Sequence, residues 1–385
     1  MHHFLDLLQK IDWIAFIAAL ALAAIGLIAL YGIGISQEPL NLFPFYKQFS
    51  ATLLGIALVL GMCFIDYRHL RSFSFLLYLA GAFLLILVLI FGHSVNQTQG
   101  WFRFGGLSFQ PVELAKVTLT VYLASFFVRR SHGRLNWKTF GLSACATFAY
   151  VILVLLQPDF GSAMVLLGIW VILCVFARLP KYAWMILPLV IIVLGTLVWT
   201  VGLKPYQHDR LLTFLHPASD PRGASYNAVQ ARIAIGSGGW LGKGIGEGSQ
   251  ARLRFLPEAA TDFIFAAIGE ELGFVGVSVI LGLFLLLLYR FLILARKSQD
   301  DFAVLLLIGL GSIFFIHVIV NAGMNLGLMP ITGIPMPFVS AAASSLTIAF
   351  VCLGIAQSIA VRSQGKNVDS YQDSYQDIDK SHILS

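Results

Sequence analysis

Charge is what this 385-residue chain has least of: Asp, Glu, Lys and Arg make up 11% of it, against 58% hydrophobic residues. Its mean hydropathy is +0.84. A soluble domain carries about a quarter charged residues to cover its surface, so the composition excludes one. Cysteine is scarce as well. Cys63, Cys145, Cys174 and Cys352 all fall inside apolar runs. That excludes a disulfide framework or a metal-ligand spacing and predicts four small buried hydrophobes. The sequence has neither a P-loop nor a dinucleotide fingerprint, and it lacks the internal symmetry on which many transporters are built. No small-residue cleavage site follows the first apolar run, which is therefore expected to remain as a span. The balance is basic, with a pI near 9.1. In so apolar a chain, excess Lys and Arg set topology, and no nucleic-acid partner is expected.

Long apolar runs are what remains, and they predict an all-α polytopic membrane protein. Ten spans are read at 12–35, 47–66, 73–92, 110–129, 138–157, 162–178, 182–203, 262–290, 302–325 and 337–361. With the N-terminus inside, one face collects 15 of the 25 Lys and Arg, among them Arg68, Arg71, Arg129, Arg130, Arg290 and Arg362. Seven of the other ten lie in one long loop, 204–261. Both termini are therefore expected in the cytoplasm and the long loop outside it. Residues 1–361 read as a single transmembrane domain. The tail, 362–385, contains DSYQDSYQD and no apolar run, and is expected to be a disordered cytoplasmic extension.

A charged side chain at the centre of a span costs about 2.5–3.5 kcal/mol, so each polar cluster asks for a reason. In FQPVELAK, 109–116, Pro111 suits a helix start and Glu113 and Lys116 stand at i, i+3, where they can pair. A structural ion pair and a role in a site are compatible readings. In LLQPDFGS, 155–162, Asp159 reads most plainly as a turn former or N-cap. The long loop carries Gly236, Gly238, Gly239, Gly242, Gly244, Gly246 and Gly248, a run whose backbone N–H groups could cradle phosphate. Arg210, Arg232 and Lys243 add cations there, and Val229, Ile233, Ile235 and Trp240 predict short helices lying on the membrane surface. In FLPEAATDFIFAAIGEELG, 255–273, Thr261 is expected to cap a helix begun by Asp262. Glu270 and Glu271 then lie about 12 Å deeper. They read as structural acids that accept hydrogen bonds from neighbouring helices.

These clusters, in this order, resemble the RodA/FtsW/SpoVE (SEDS) family of bacterial membrane-embedded peptidoglycan glycosyltransferases. The motifs that carry the likeness are FQPVELAK, QPDFGS, DPRGASYNAVQARIAIGSGGWLGKGIGEG, FLPEAATDFIFAAIGEELG and LMPITGIPMPFVS. The AIGSGG and ITGIPMP forms look most like RodA, the elongation member. The chain departs from the family's pattern at Gly100-Trp101, where Arg-Trp is usual, with Arg103 two residues on. It departs again at Val112, where Ser is usual, and at Ala341, Ala342 and Ala343 of SAAASS, where Tyr-Gly-Gly is usual.

The resemblance implies an inverting hexosyltransferase that polymerises lipid II for cell-shape elongation. Asp262 would be the essential carboxylate, acting as general base on the acceptor GlcNAc 4-hydroxyl, with undecaprenyl pyrophosphate as leaving group. Glu113, Lys116, Asp159, Arg210, Arg103, Lys243, Gly238, Gly239 and Ser340 would bind substrate, and Glu270 and Glu271 would be structural. It implies no definite cofactor, and a divalent cation, Mg or Mn, is a reasonable addition. Implied partners are the growing glycan strand, a class B penicillin-binding protein (a transpeptidase) and other elongation-complex membrane proteins. The implied location is the bacterial cell membrane. The rival readings are a flippase or transporter of the lipid-linked precursor, an FtsW-like division paralogue, and a non-catalytic scaffold.

Overall fold

The computed structural model describes residues 9–37, 39–95, 98–104, 107–130, 135–180, 182–183, 214, 226–252 and 255–363. In chain order the elements are α1 (Trp13–Ile35), α2 (Phe43–Phe64), the short α3 (Arg68–Ser72), α4 (Ser74–Phe91), and strands β1 (His93–Val95), β2 (Thr98–Phe104) and β3 (Leu107–Phe109). Helices α5 (Pro111–Arg130), α6 (Trp137–Leu156), α7 (Phe160–Phe176), α8 (Tyr226–Gly238), α9 (Ser249–Arg252), α10 (Ile264–Lys297), α11 (Asp301–Asn325) and α12 (Ala343–Ser363) follow. Among the described residues eight helices are long and apolar enough to cross a membrane, namely α1, α2, α4, α5, α6, α10, α11 and α12. Helix α7 is apolar but shorter, at 17 residues. Of the run at 182–203 all but its first two residues, together with Arg210 and most of the tail, lie outside the described residues.

Helices α5, α11 and α12 form the centre. The apolar window of α12 is 83% buried, whereas that of α4 is 22% buried and presents its surface to lipid. Van der Waals packing of small residues drives association where lipid removes the hydrophobic driving force. Gly55 of α2 lies directly against the Phe350 ring of α12, where a Cβ would overlap it. Cys63, Cys174 and Cys352 are buried as expected, but Cys145 faces outward from α6. Its surroundings there are lipid, which suits a thiol as well as a core does.

Residues 93–109 contain no apolar run, yet they form an antiparallel meander in the order β1-β2-β3. Arg103 stands opposite Ser108. Side chains alternate along a strand, so Trp101 and Arg103 share one face of β2, with Phe102 on the other.

Helix α10 begins later than its sequence suggests. Asp262 precedes it, the N-cap position is Phe263, and no side chain caps it. Thr261 instead donates to Glu258 Oε2 at 2.9 Å. The helix then breaks at Gly273 (φ 65°, ψ −161°) and resumes to Lys297. The second part, 24 residues from 274 to 297, is about 36 Å long, enough to span the roughly 30 Å hydrocarbon core. A break in a helix orphans carbonyls on one side and N–H groups on the other. The glycine-rich loop takes up both. Lys243 N–H donates to the Glu270 carbonyl and Gly244 N–H to that of Glu271, each at 3.0 Å. Phe274 N–H donates to the Gly239 carbonyl at 2.9 Å, and Val275 N–H to that of Trp240 at 3.1 Å. The expected phosphate cradle is thus a splice across a broken helix. The N–H groups of Lys243, Gly244 and Gly246 are aimed at α10.

The side chains of Glu270 and Glu271 complete the splice. Glu270 Oε1 accepts from Lys243 Nζ at 2.7 Å, Ser249 Oγ at 2.9 Å and Gln250 N at 3.2 Å. Glu271 Oε1 accepts from Gly246 N at 3.2 Å, while its Oε2 is buried with no partner among the described residues. Their partners come from the glycine-rich loop and the short α9 that follows it, not from the membrane-spanning helices, because the break brings that segment against them. The two acids should therefore respond differently to neutralisation. Glu270→Gln is expected to lower stability by about 1–3 kcal/mol, since charge-assisted bonds are lost. Glu271→Gln removes a poorly paired buried charge and should be neutral or stabilising. Thermal unfolding of the detergent-solubilised variants measures both, and equal losses would contradict the difference.

Helix α8 also differs from the expectation of a helix on the membrane surface. It packs on α10 through Ala231, Ala234 and Gly238. Gly238 touches the Gly269 carbonyl so closely that a Cβ would overlap it.

Candidate active site

The starts of α2, α5, α7 and α12 and the segment just before α10 converge on one end of the bundle, around a cavity of about 520 Å³. Asp159, Glu258 and Asp262 are its acids, and Lys47 and Arg103 its cations. Fifteen Lys and Arg belong to one face of the sequence and seven to the long loop, which leaves three: Lys47, Arg103 and Lys116. All three meet here, the first two in the cavity wall and the third beneath it. Lys47 Nζ donates to Ser108 Oγ at 3.0 Å, and Ser108 is the strand partner of Arg103. Both cations thus come to the cavity in the neighbourhood of Ser108.

Asp262 is held by its backbone. Its carbonyl accepts from Asn321 Nδ2 at 3.0 Å and from Asn325 Nδ2 at 3.1 Å, both on α11. The Thr261 carbonyl accepts from Ser340 Oγ at 2.6 Å, and the Ala260 carbonyl from Ala341 N–H at 2.8 Å. Three successive carbonyls are therefore fixed by two separate elements, which hold the backbone from which the Asp262 side chain projects. Gly333, at φ +71°, passes beside that carboxylate; a methyl there would sit 3.4 Å from Oδ2.

Asp159 is the N-cap that its sequence setting suggests, and it also lines the cavity. Oδ1 caps α7 by accepting from Ser162 N–H at 2.9 Å, and Oδ2 accepts from Gln110 Nε2 at 3.3 Å in the cavity wall. Burial pushes its carboxyl above the ordinary range, opposed by the hydrogen bonds at Ser162. Glu113 and Lys116 pair at 2.8 Å, as their spacing suggests, but both are buried below the wall and do not line it. Lys116 Nζ also reaches His317 Nε2 at 3.0 Å.

Several candidates are not brought to the cavity. Lys243 is committed to Glu270, and Gly238 and Gly239 belong to the α8–α10 junction. The side chain of Ser340 is buried behind the wall, where it accepts from Met336 N–H at 2.8 Å while holding Thr261. Residues 337–342 are turns rather than the first turns of α12, because Phe338 takes a φ of 62° and breaks the helix. Ala341, Ala342 and Ala343 line the cavity, and none has a positive φ. The backbone there needs no glycine, and Ala341 holds Ala260 through its N–H. Sequence reasoning passed over Lys47, Gln110, Asn321, Asn325 and His317. The signals were present: an isolated lysine at the start of α2, and two asparagines at i, i+4 in an otherwise apolar run.

No three His, Cys, Asp or Glu converge as a ligand set among the described residues. A magnesium ion is ordinarily held by one or two carboxylates plus substrate phosphates. Asp159, Glu258 and Asp262 are the carboxylates such an ion would meet in this cavity.

Apolar helices that close over acids and cations at one end define a polytopic membrane protein with a polar, charge-bearing site at the bilayer's edge. The chain belongs to the FtsW/RodA/SpoVE family, whose model, described as "Cell cycle protein", matches residues 12–365. It is 35% identical over 318 residues to the peptidoglycan glycosyltransferase MrdB of Escherichia coli, covering 81% of this chain and 84% of that protein. It is 31% identical to the peptidoglycan glycosyltransferase RodA of Treponema pallidum, covering 91% and 98%. The fold is similar to the crystal structure of the Thermus thermophilus rod shape determining protein RodA, with a TM-score of 0.69 at 30% identity over 91% of this chain and 96% of that one. It is also similar, with a TM-score of 0.77 at 33% identity over 92% and 98%, to a chain of a peptidoglycan synthase complex studied for how it coordinates polymerization and crosslinking.

Proposed function

We propose that this chain is a peptidoglycan glycosyltransferase that polymerises lipid II, and that Asp262 is its general base. The observation that carries the proposal is the clamped backbone of Asp262, which presents a carboxylate to a cavity that Lys47 and Arg103 also line. The acceptor's GlcNAc 4-oxygen attacks the anomeric carbon of the donor MurNAc, and its proton passes to the Asp262 carboxylate. The bond from that carbon to the phosphate oxygen breaks, and the electron pair leaves with undecaprenyl pyrophosphate. One displacement inverts the anomeric centre, so a single base suffices.

Negative charge grows on the leaving pyrophosphate, and fixed cations stabilise it. Lys116 is bound to Glu113 and His317, so among the described residues that role falls to Lys47 and Arg103. Lys47→Ala and Arg103→Ala are each expected to cut kcat/KM by about 10- to 100-fold, with the double variant worse. Unchanged kinetics in the double variant would remove these residues from the leaving-group site.

The basic residues at the opposite end of the bundle support an orientation with the cavity on the outer face and both termini in the cytoplasm. The AIGSGG and ITGIPMP motifs support a role in elongation, with a class B penicillin-binding protein as partner. Purified protein given labelled lipid II, alone and with such a partner, tests the reading. Glycan strands made by the wild type and absent with Asp262→Asn support it. Lipid translocation without polymer would overturn it.

A further inference from the structure

A chain of polar contacts runs beneath the cavity and returns to its wall at both ends. The Ser345 hydroxyl, in the wall, lies within reach of the Glu113 carboxylate. Glu113 Oε1 accepts from Lys116 Nζ at 2.8 Å, and Lys116 Nζ stands 3.0 Å from His317 Nε2. His317 Nδ1 stands 3.1 Å from the carbonyl of Pro335, which is again in the wall. Glu113, Lys116 and His317 are 4%, 1% and 1% exposed, so water does not substitute for any of these contacts.

The chemistry of the groups fixes the direction of each bond. An ammonium has donors and no acceptor, so Nε2 must be the acceptor. A neutral imidazole with its lone pair on Nε2 carries its proton on Nδ1, which then donates to the Pro335 carbonyl. His317 is thus a relay of hydrogen-bond polarity from α5 to the loop that contains Gly333 and Pro335. That loop matters because Gly333 passes beside the Asp262 carboxylate, and Asn321, one turn on from His317, ties the Ile334 carbonyl to that of Asp262.

We propose that His317 is a positioning residue for the reaction: it ties the buried Glu113–Lys116 pair to the Pro335 carbonyl and so holds the wall against which Asp262 works. This rests on the reading of Asp262 as the base. His317 touches neither the cavity nor substrate, and it acts through Lys116 on one side and Pro335 on the other. Loss of the relay lets the wall shift, and a misplacement of about 1 Å in a reacting group costs about 10²-fold in rate.

The test compares two substitutions in the full-length protein with lipid II as substrate. Glutamine carries an acceptor and a donor on one planar group and can serve both Lys116 and Pro335. Leucine fills much of the volume and can serve neither. His317→Gln is expected to keep kcat within about threefold of wild type, and His317→Leu to lower kcat by about 10- to 100-fold with little change in KM. A melting temperature for each variant identifies the folded preparations. If leucine unfolds the protein, His317→Met, a flexible residue that also lacks the donor, takes its place. Equal losses from glutamine and the apolar variant would overturn the proposal, as would an apolar variant that keeps full kcat or changes only KM. Asp262→Asn runs alongside. If that variant polymerises normally, the reading of the base has failed, whatever His317 does.

Discussion

Asp262→Asn is expected to lower the rate of lipid II polymerisation by about 10²–10⁴-fold, the usual worth of a general base. The amide keeps the shape of the carboxylate and removes its charge and its basicity. The structure makes this a clean experiment. The segment is fixed through the carbonyls of Ala260, Thr261 and Asp262, by Ala341, Ser340, Asn321 and Asn325, and none of those bonds uses the side chain being changed. Those backbone bonds remain available to the variant, and a melting temperature measured beside kcat separates loss of the base from loss of the fold. A variant that lost activity only because it unfolded would point to a structural carboxylate, and one that kept its rate would move the base elsewhere. Glu258 and Asp159 are the other cavity acids. Asp159 already caps α7 and bonds to Gln110, so it is the poorer substitute.

The membrane helices were legible because each is an apolar run long enough to span, and the i, i+3 spacing of Glu113 and Lys116 gave their pair directly. What the sequence hid depends on contacts between distant segments. Asp262 reads as the start of a helix because Thr261 precedes it, but the true start at Ile264 follows from carbonyls held by α11 and the turn at 337–342. The meander at 93–109 is short and carries no strong alternation, so propensity alone did not reveal it. Lys243 looked like a cation for phosphate until the break at Gly273 brought it within 2.7 Å of Glu270. His317 is an isolated polar residue in an apolar run, and only the fold sets it against Lys116, 201 positions away in sequence.

The second large effect concerns the splice that carries α10, and glycines three residues apart give it opposite outcomes. Gly239 and Gly242 both have positive φ, at 56° and 80°. A Cβ on Gly239 would meet nothing within 4 Å, whereas one on Gly242 would overlap the Glu271 carbonyl oxygen and crowd the Leu272 backbone. Gly239→Ala therefore has only the left-handed backbone against it, about 1–2 kcal/mol. Gly242→Ala adds an overlap with backbone that cannot rotate away, and overpacking of that kind costs about 1–3 kcal/mol more. The consequence spreads beyond the glycine. Moving residue 242 outward pulls Lys243 N–H and Gly244 N–H from the carbonyls they satisfy, and with them the Lys243–Glu270 pair. Buried carbonyls left without a donor cost about 1–3 kcal/mol each, because no solvent replaces it. Gly242→Ala is thus expected to yield little monodisperse protein and a sharply lower melting temperature, while Gly239→Ala remains well folded. If the two variants melted together, the glycine-rich loop would not be what joins the halves of α10. The loop's N–H groups would then be available for phosphate after all.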